Sequence, residues 1–241
     1  MKKLLSFLAV LVLFLGLIFY NLYYKEEQVA NKQKEVTTKT ETKKEEKVAT
    51  NTNLTPETAK EPTIVKGLMV INKKHPLPKS YNKGEDPKAR EQVNKIIREA
   101  QSLGLNVSNQ TSGFRSYETQ KNLYNNYVAV HGKKEADTFS ARPGYSEHQS
   151  GLAFDLIDRE GQLLGAEDTR KTSKQAAKWL ADNAHRFGFI IRYKDEFTNS
   201  TGYMAEAWHI RYVGEAIARE IYEKNISLEE YLGVEGGDYK E

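Results

Sequence analysis

Residues 146–156 read SEHQSGLAFDL, and the way this stretch is read decides the fold. From Leu152 it alternates: Leu152, Phe154 and Leu156 fall on one side of an extended chain, Ala153 and Asp155 on the other. The pattern predicts a strand with an apolar underside. Asp is depleted in strands, where its carboxylate competes for backbone hydrogen bonds, so a partner should compensate Asp155. His148 lies just ahead of the strand. A second stretch repeats the arrangement: in AWHIRYV at 207–213, Trp208, Ile210 and Tyr212 share one side and Ala207, His209 and Arg211 the other.

If the two strands lie in one sheet, Asp155 and His209 face the same cavity and His148 enters it from the preceding loop. Two imidazoles and one carboxylate form a three-ligand set that leaves a tetrahedral position of Zn²⁺ open, as catalytic rather than structural zinc requires. The chain has 241 residues, five histidines and no cysteine, so a metal must be held by His, Asp or Glu, and disulfides are excluded. His75, His131 and His185 sit in a Pro-containing loop, at a helix end and in an amphipathic helix, where structural roles are the simpler reading. Glu206, just before His209, is placed to serve as general base for a metal-activated water; an exposed residue of a polar loop is the competing reading. Arg115, in SGFRS ahead of a helix, is a cation suited to a substrate carboxylate or a developing oxyanion. The same ligand types serve non-haem iron oxygenases, so donor identity leaves zinc and iron both open.

Around these stretches the texture predicts an α+β domain, a small mainly antiparallel sheet with packed helices, over residues 63–241. Strands are expected at 67–73, near 105–111, at 152–156, 188–193 and 205–214. Helices are expected at 88–103, after Ser116, at 172–187 and twice after 214, the last opened by the capping box Ser227 to Glu230. Residues 132–150 read as a long loop. Residues 25–62, rich in Lys, Glu and Thr, cannot bury enough surface to offset the entropy of ordering and read as a disordered linker. Residues 4–24 carry no charge and would span about 30 Å as a helix. With Lys2 and Lys3 ahead of it, residues 1–24 read as a membrane anchor that keeps the N-terminus in the cytoplasm and exports the domain; a cleaved signal peptide is the alternative. A formal net charge of +3 from 36 basic and 33 acidic residues gives no electrostatic footprint for nucleic acid.

Three motifs in order, SGFRSYETQ (112–120), ARPGYSEHQSGLAFDL (141–156) and EAWHIRYVG (206–214), resemble the VanY/LdcB group of zinc D-alanyl carboxypeptidases, which trim peptidoglycan stem peptides. The likeness covers residues 65–233 and implies the D-Ala-D-Ala metallopeptidase and hedgehog-like fold. The pattern S-x-H-x-x-G-x-A-x-D is met by Ser146, His148, Gly151, Ala153 and Asp155, and E-x-W-H by Glu206, Trp208 and His209. The resemblance thus implies one Zn²⁺ per chain on His148, Asp155 and His209, with Glu206 as catalytic base. Arg115 would grip the scissile carbonyl or the terminal carboxylate, and Gln120, Ser146, Tyr193 and Trp208 would line the substrate pocket. It further implies removal of the C-terminal D-alanine; the tether lies outside the match and rests on composition alone, and with it the expectation of a membrane-bound monomer outside the cell and facing the wall. The SARPGYSEHQ stretch favours the L,D-tetrapeptide over the D,D-pentapeptide. A stem-peptide endopeptidase and a non-catalytic zinc-bearing wall-binding module are the rival functions.

Overall fold

The computed structural model describes residues 54–239. The membrane-anchor reading of 1–24 and most of the linker reading of 25–62 fall outside the described residues; within them no helix is long and apolar enough to cross a membrane. The remainder of the expected linker, 54–62, is ordered against the domain. The Pro56 carbonyl accepts from the Lys79 amide at 2.8 Å, the Tyr117 hydroxyl donates to Glu57 at 3.1 Å, and Pro56 and Ala59 are buried. Composition averaged over a long polar segment hides such a short clip.

A two-stranded antiparallel hairpin, β1 (Thr63–Val65) and β2 (Leu68–Val70), opens the domain. Helix α1 (Pro87–Ser102) follows. Its start is fixed by Asp86, whose side chain accepts from the Ala89 amide, and by Pro87 at the first helical position, where a missing N–H is harmless. Next come β3 (Thr111–Ser112), α2 (Tyr117–His131, capped by Ser116), α3 (Lys133–Phe139), a 3₁₀ turn (Glu147–Ser150) and β4 (Ala153–Leu156). Helix α4 (Lys171–Asn183) runs through a second 3₁₀ turn (Ala184–Phe187) into β5 (Phe189–Tyr193). A short 3₁₀ turn and α5 (Thr198–Thr201) lead to β6 (Glu206–Tyr212), and α6 (Glu215–Lys224) and α7 (Leu228–Leu232) finish the domain, α7 with the expected Ser227 capping box.

The main sheet has the order β3-β4-β6-β5, antiparallel throughout. Its apolar face supplies Phe154, Leu156, Phe189 and Ile210 to a core completed by Val93, Ile96 and Ile97 of α1 and Ala176, Ala177 and Leu180 of α4. A fully buried Phe such as Phe154 contributes about 1.5–3 kcal/mol by area alone, and two helices on one face free the other for a cavity.

Two expectations are corrected. The strand near 105–111 shrinks to Thr111 and Ser112, because Val107 enters the core while its amide bonds locally to the Leu105 carbonyl; apolar alternation reported burial, not pairing. The long loop at 132–150 contains α3 and the 3₁₀ turn, short elements with no apolar stripe long enough to announce them.

Candidate active site

The register of the central strands sets the site. Asp155 of β4 pairs directly with His209 of β6, and residues opposite each other across an antiparallel pair present side chains to the same face about 5 Å apart. His148 enters from the 3₁₀ turn just before β4. Gly151 ends that turn in the left-handed region at φ 75°, and a Cβ there would lie 2.0 Å from the Gly84 carbonyl oxygen, so the close crossing that aims His148 inward admits only glycine.

His148 Nε2 lies 3.1 Å from Asp155 Oδ2, and His209 Nδ1 lies 3.0 Å from Asp155 Oδ1. One donor atom from each of the three falls within 4.8 Å of the others, and all three residues are buried. The outer nitrogens are engaged elsewhere. His148 Nδ1–H donates to the Gly113 carbonyl at 2.7 Å, leaving the Nε2 lone pair aimed into the site. His209 Nε2 faces Glu147 Oε2 at 3.3 Å, leaving Nδ1. Hydrogen bonds of this kind fix tautomer and ring orientation in metal-binding histidines.

Burial would raise the Asp155 carboxyl, but the His148 and His209 imidazoles override it and hold Asp155 well below the usual carboxylate range. Burial would lower the His209 imidazolium, yet hydrogen bonds to Asp155 and Glu147 push it up to about 9. Two carboxylates, Asp155 and Glu147, thus converge on one imidazole, with Arg115 3.6 Å from Asp155. This is the electrostatics of a cation site, and two nitrogens with one carboxylate oxygen are a chemistry that suits zinc.

Glu206 Oε2 is 3.7 Å from His209 Nδ1. In an unbroken strand, residues three apart point to opposite faces. Here the pairing slips: Ile191 faces Ile210, but Tyr193 faces Glu206. The irregularity re-aims the edge of β6, so Glu206 shares the cavity with His209. Burial pushes its carboxyl up to about 8, toward the range where a carboxylate both takes and returns a proton near neutral pH.

Arg115 stands across the mouth, with Nη2 3.6 Å from Asp155 Oδ2. Its guanidinium donates to Gln120 Oε1 at 2.8 Å and to Ser112 Oγ at 3.1 Å, and its amide donates to the His148 carbonyl. All of these groups open on one cavity of about 410 Å³, which Gln120, Ser146, Tyr193 and Trp208 also line. Trp208 packs partly on the core, and the Tyr193 ring lies 4.9 Å from that of His209. The structure thus brings every residue singled out in the sequence to one place. The other histidines are elsewhere: His75 bonds Asn72, His131 meets Phe139 edge-on, and His185 stacks on Tyr222.

Sequence reasoning missed the charges behind the site. Glu147 Oε1 accepts from Arg192 Nε at 2.9 Å and Arg211 Nη1 at 2.7 Å. Arg192 also holds Glu229 through two bonds of 2.8 and 2.6 Å, Asn72 donates to Glu229, and Arg211 donates to the Met69 carbonyl. Arg211, assigned to the cleft side by alternation, is on that face but fully enclosed. The available signal was arginine within two expected strands, 188–193 and 205–214; their partners lie 45 and 64 residues away in sequence.

A family model described as VanY, D-alanyl-D-alanine carboxypeptidase, matches residues 82–215. Among curated proteins, YodJ of Bacillus subtilis strain 168 is 42% identical over 121 residues, half of this chain, and the chain spans only 44% of that relative. Among solved structures, the L,D-carboxypeptidase DacB of Streptococcus pneumoniae is 51% identical with a TM-score of 0.66, covering 72% of this chain and 90% of that one. The vancomycin-resistance D,D-pentapeptidase VanY from a VanB-type cassette, in complex with Zn(II), is 32% identical with a TM-score of 0.57, covering 68% and 97%.

Proposed function

Since the chain belongs to the VanY family of D-alanyl-D-alanine carboxypeptidases, we propose that it hydrolyses the C-terminal D-alanine from peptidoglycan stem peptides, using one zinc ion held by His148, Asp155 and His209. The observation that carries this reading is the convergence of the three donor atoms within 4.8 Å, beside Glu206 and opposite Arg115. When bound, zinc supplies Lewis acidity toward a carbonyl oxygen and makes a coordinated water a better acid.

The chain's own residues do the rest. Arg115 grips the substrate carboxylate or the oxyanion that develops from the scissile carbonyl, and its bonds to Gln120 and Ser112 hold the guanidinium in place before substrate arrives. Glu206 takes a proton from the attacking water and returns it to the leaving amine. Trp208, Tyr193 and Ser146 bound the space for the departing D-alanine and the residue before it.

The greater identity to an L,D-carboxypeptidase, 51% against 32% for a D,D-pentapeptidase, favours the tetrapeptide as substrate. Residues 1–24 would tether a monomeric enzyme to the membrane, with the domain outside and facing the wall. Incubating the full chain with defined tri-, tetra- and pentapeptide stems, with and without chelator, tests bond and metal together. Free D-alanine from the tetrapeptide, abolished by chelator and restored by Zn²⁺ without oxygen, is the expected result. Release of longer muropeptide fragments would replace this reading with an endopeptidase, a requirement for Fe(II) and oxygen with an oxygenase, and zinc binding without turnover with a wall-binding module.

A further inference from the structure

The segment after α7 turns back across the domain. Gly233 carries the left-handed turn, the Glu235 carbonyl accepts from Asn72 Nδ2 at 3.1 Å, and the Gly237 amide donates to the Ser200 carbonyl at 2.8 Å. A Cβ on Gly236 would lie 2.0 Å from the Ser200 carbonyl oxygen, so the segment passes where no larger residue fits. It ends on Tyr239. The Tyr239 hydroxyl accepts from the Arg142 amide at 2.8 Å and shares a 3.0 Å hydrogen bond with the Tyr203 hydroxyl. Its ring lies 3.9 Å from the Arg142 guanidinium and meets Tyr145 edge-on.

Those partners belong to two neighbouring segments that line the substrate cavity. On one side Arg142 follows Ser140 and Ala141, which line the cavity. The Ala141 carbonyl accepts from Gln120 Nε2 at 2.6 Å, and Gln120 in turn accepts from Arg115. On the other side Tyr203 lines the cavity and packs on Tyr193, which packs on His209. One phenol thus joins the 140–142 segment, which reaches Arg115 through Gln120, to Tyr203, which reaches His209 through Tyr193, beside the bond that the Met204 amide donates to the Thr138 carbonyl at 3.0 Å.

We propose that Tyr239 is a positioning residue for substrate binding: the 233–239 segment acts as a clasp that fixes the spacing of these two segments, acting on Arg115 through Ala141 and Gln120. The proposal rests on the carboxypeptidase reading for its kinetic consequence but not for its structural one. Tyr239 touches neither the donor residues nor the reacting atoms, so loosening the clasp weakens binding and spares chemistry.

The test compares Tyr239→Phe, which keeps the ring on Arg142 and removes the hydroxyl, with Tyr239→Ala, which removes both. With the tetrapeptide stem, KM rises about threefold to fivefold in the first and about tenfold to thirtyfold in the second, kcat stays within about twofold, and zinc content is unchanged. In the same two proteins without substrate, amide hydrogen exchange accelerates at 140–146 and 202–204 and not at β4 or β6. KM within twofold of wild type in both variants, a parallel loss of kcat and zinc, or unchanged exchange at the Arg142 amide overturns the clasp. A wild-type protein that releases D-alanine from no stem peptide overturns the carboxypeptidase reading instead, and the exchange measurement then decides the clasp alone.

Discussion

Two clusters of buried charge lie back to back through His209, and they are built on opposite principles. Behind the imidazole, Glu147 and Glu229 meet Arg192 and Arg211 through short bonds, so two negative and two positive charges close on themselves. In front, Asp155 and Glu206 face two imidazoles and only Arg115 brings a permanent positive charge, at 3.6 Å. A closed set holds position, because each charge already has its partner. An open set binds, because its partner must come from outside. His209 belongs to both, one ring nitrogen in each, so the closed cluster orients the open one.

If that contrast is right, a change in the open cluster should alter metal and turnover, and one in the closed cluster should alter stability first. The largest effect is expected from Asp155→Ala: zinc measured by elemental analysis after dialysis falls well below one per chain, and turnover drops more than about a thousandfold, with the fold retained by circular dichroism. Glu206→Gln should come next, at about 10²–10⁴ in kcat with zinc content intact; a loss within a few-fold would remove Glu206 from the role of base. Glu147→Ala, in the closed cluster, leaves two arginines short of their common acceptor. Unfolding free energy in denaturant should fall by about 3–5 kcal/mol, and zinc affinity by about 10–100-fold, through the freed His209 ring. Thermal stability unchanged in that variant would break the comparison outright.

The smallest effect concerns Glu85, held below its ordinary value chiefly by hydrogen bonding from Arg90. A carboxyl depressed in the folded state stabilises above its unfolded pKa of about 4.3, and that contribution is lost as pH falls through the folded value. Glu85→Gln should therefore flatten the loss of stability as pH falls below about 4.3, read from denaturant unfolding at a series of acidic pH values. It calibrates the closed cluster against an ordinary half-buried ion pair.

The difference between the clusters also explains what was legible. Asp155 and His209 could be read because function placed polar residues on strands whose other face was plainly apolar, Phe154 and Leu156 in one, Ile210 and Tyr212 in the other, and His148 because it lies just ahead of the first. Glu147 lies within the same quoted stretch and gave no sign, since its meaning depends on Arg192 and Arg211. Glu206 was within reach in sequence, but an unbroken strand would have turned it away; only the slip between Ile191 and Tyr193 brings it round. Residues 54–62 were read with the linker because composition has no way to show Pro56 and Ala59 finding a groove.

What the sequence determined by itself is local: which strands carry an apolar face, where Ser116 and Ser227 start helices, and which side chains can donate to a metal, all set by periodicity and side-chain chemistry within a few residues. The tertiary structure alone decided that Asp155 lies opposite His209, that Glu206 faces the same cavity, that Glu147 closes a neutral set behind the site and that Tyr239 joins two segments that line the cavity. Each of these is a pairing across many residues of chain. Its energy depends on register and burial, and neither exists until the sheet has formed and the helices have covered one of its faces.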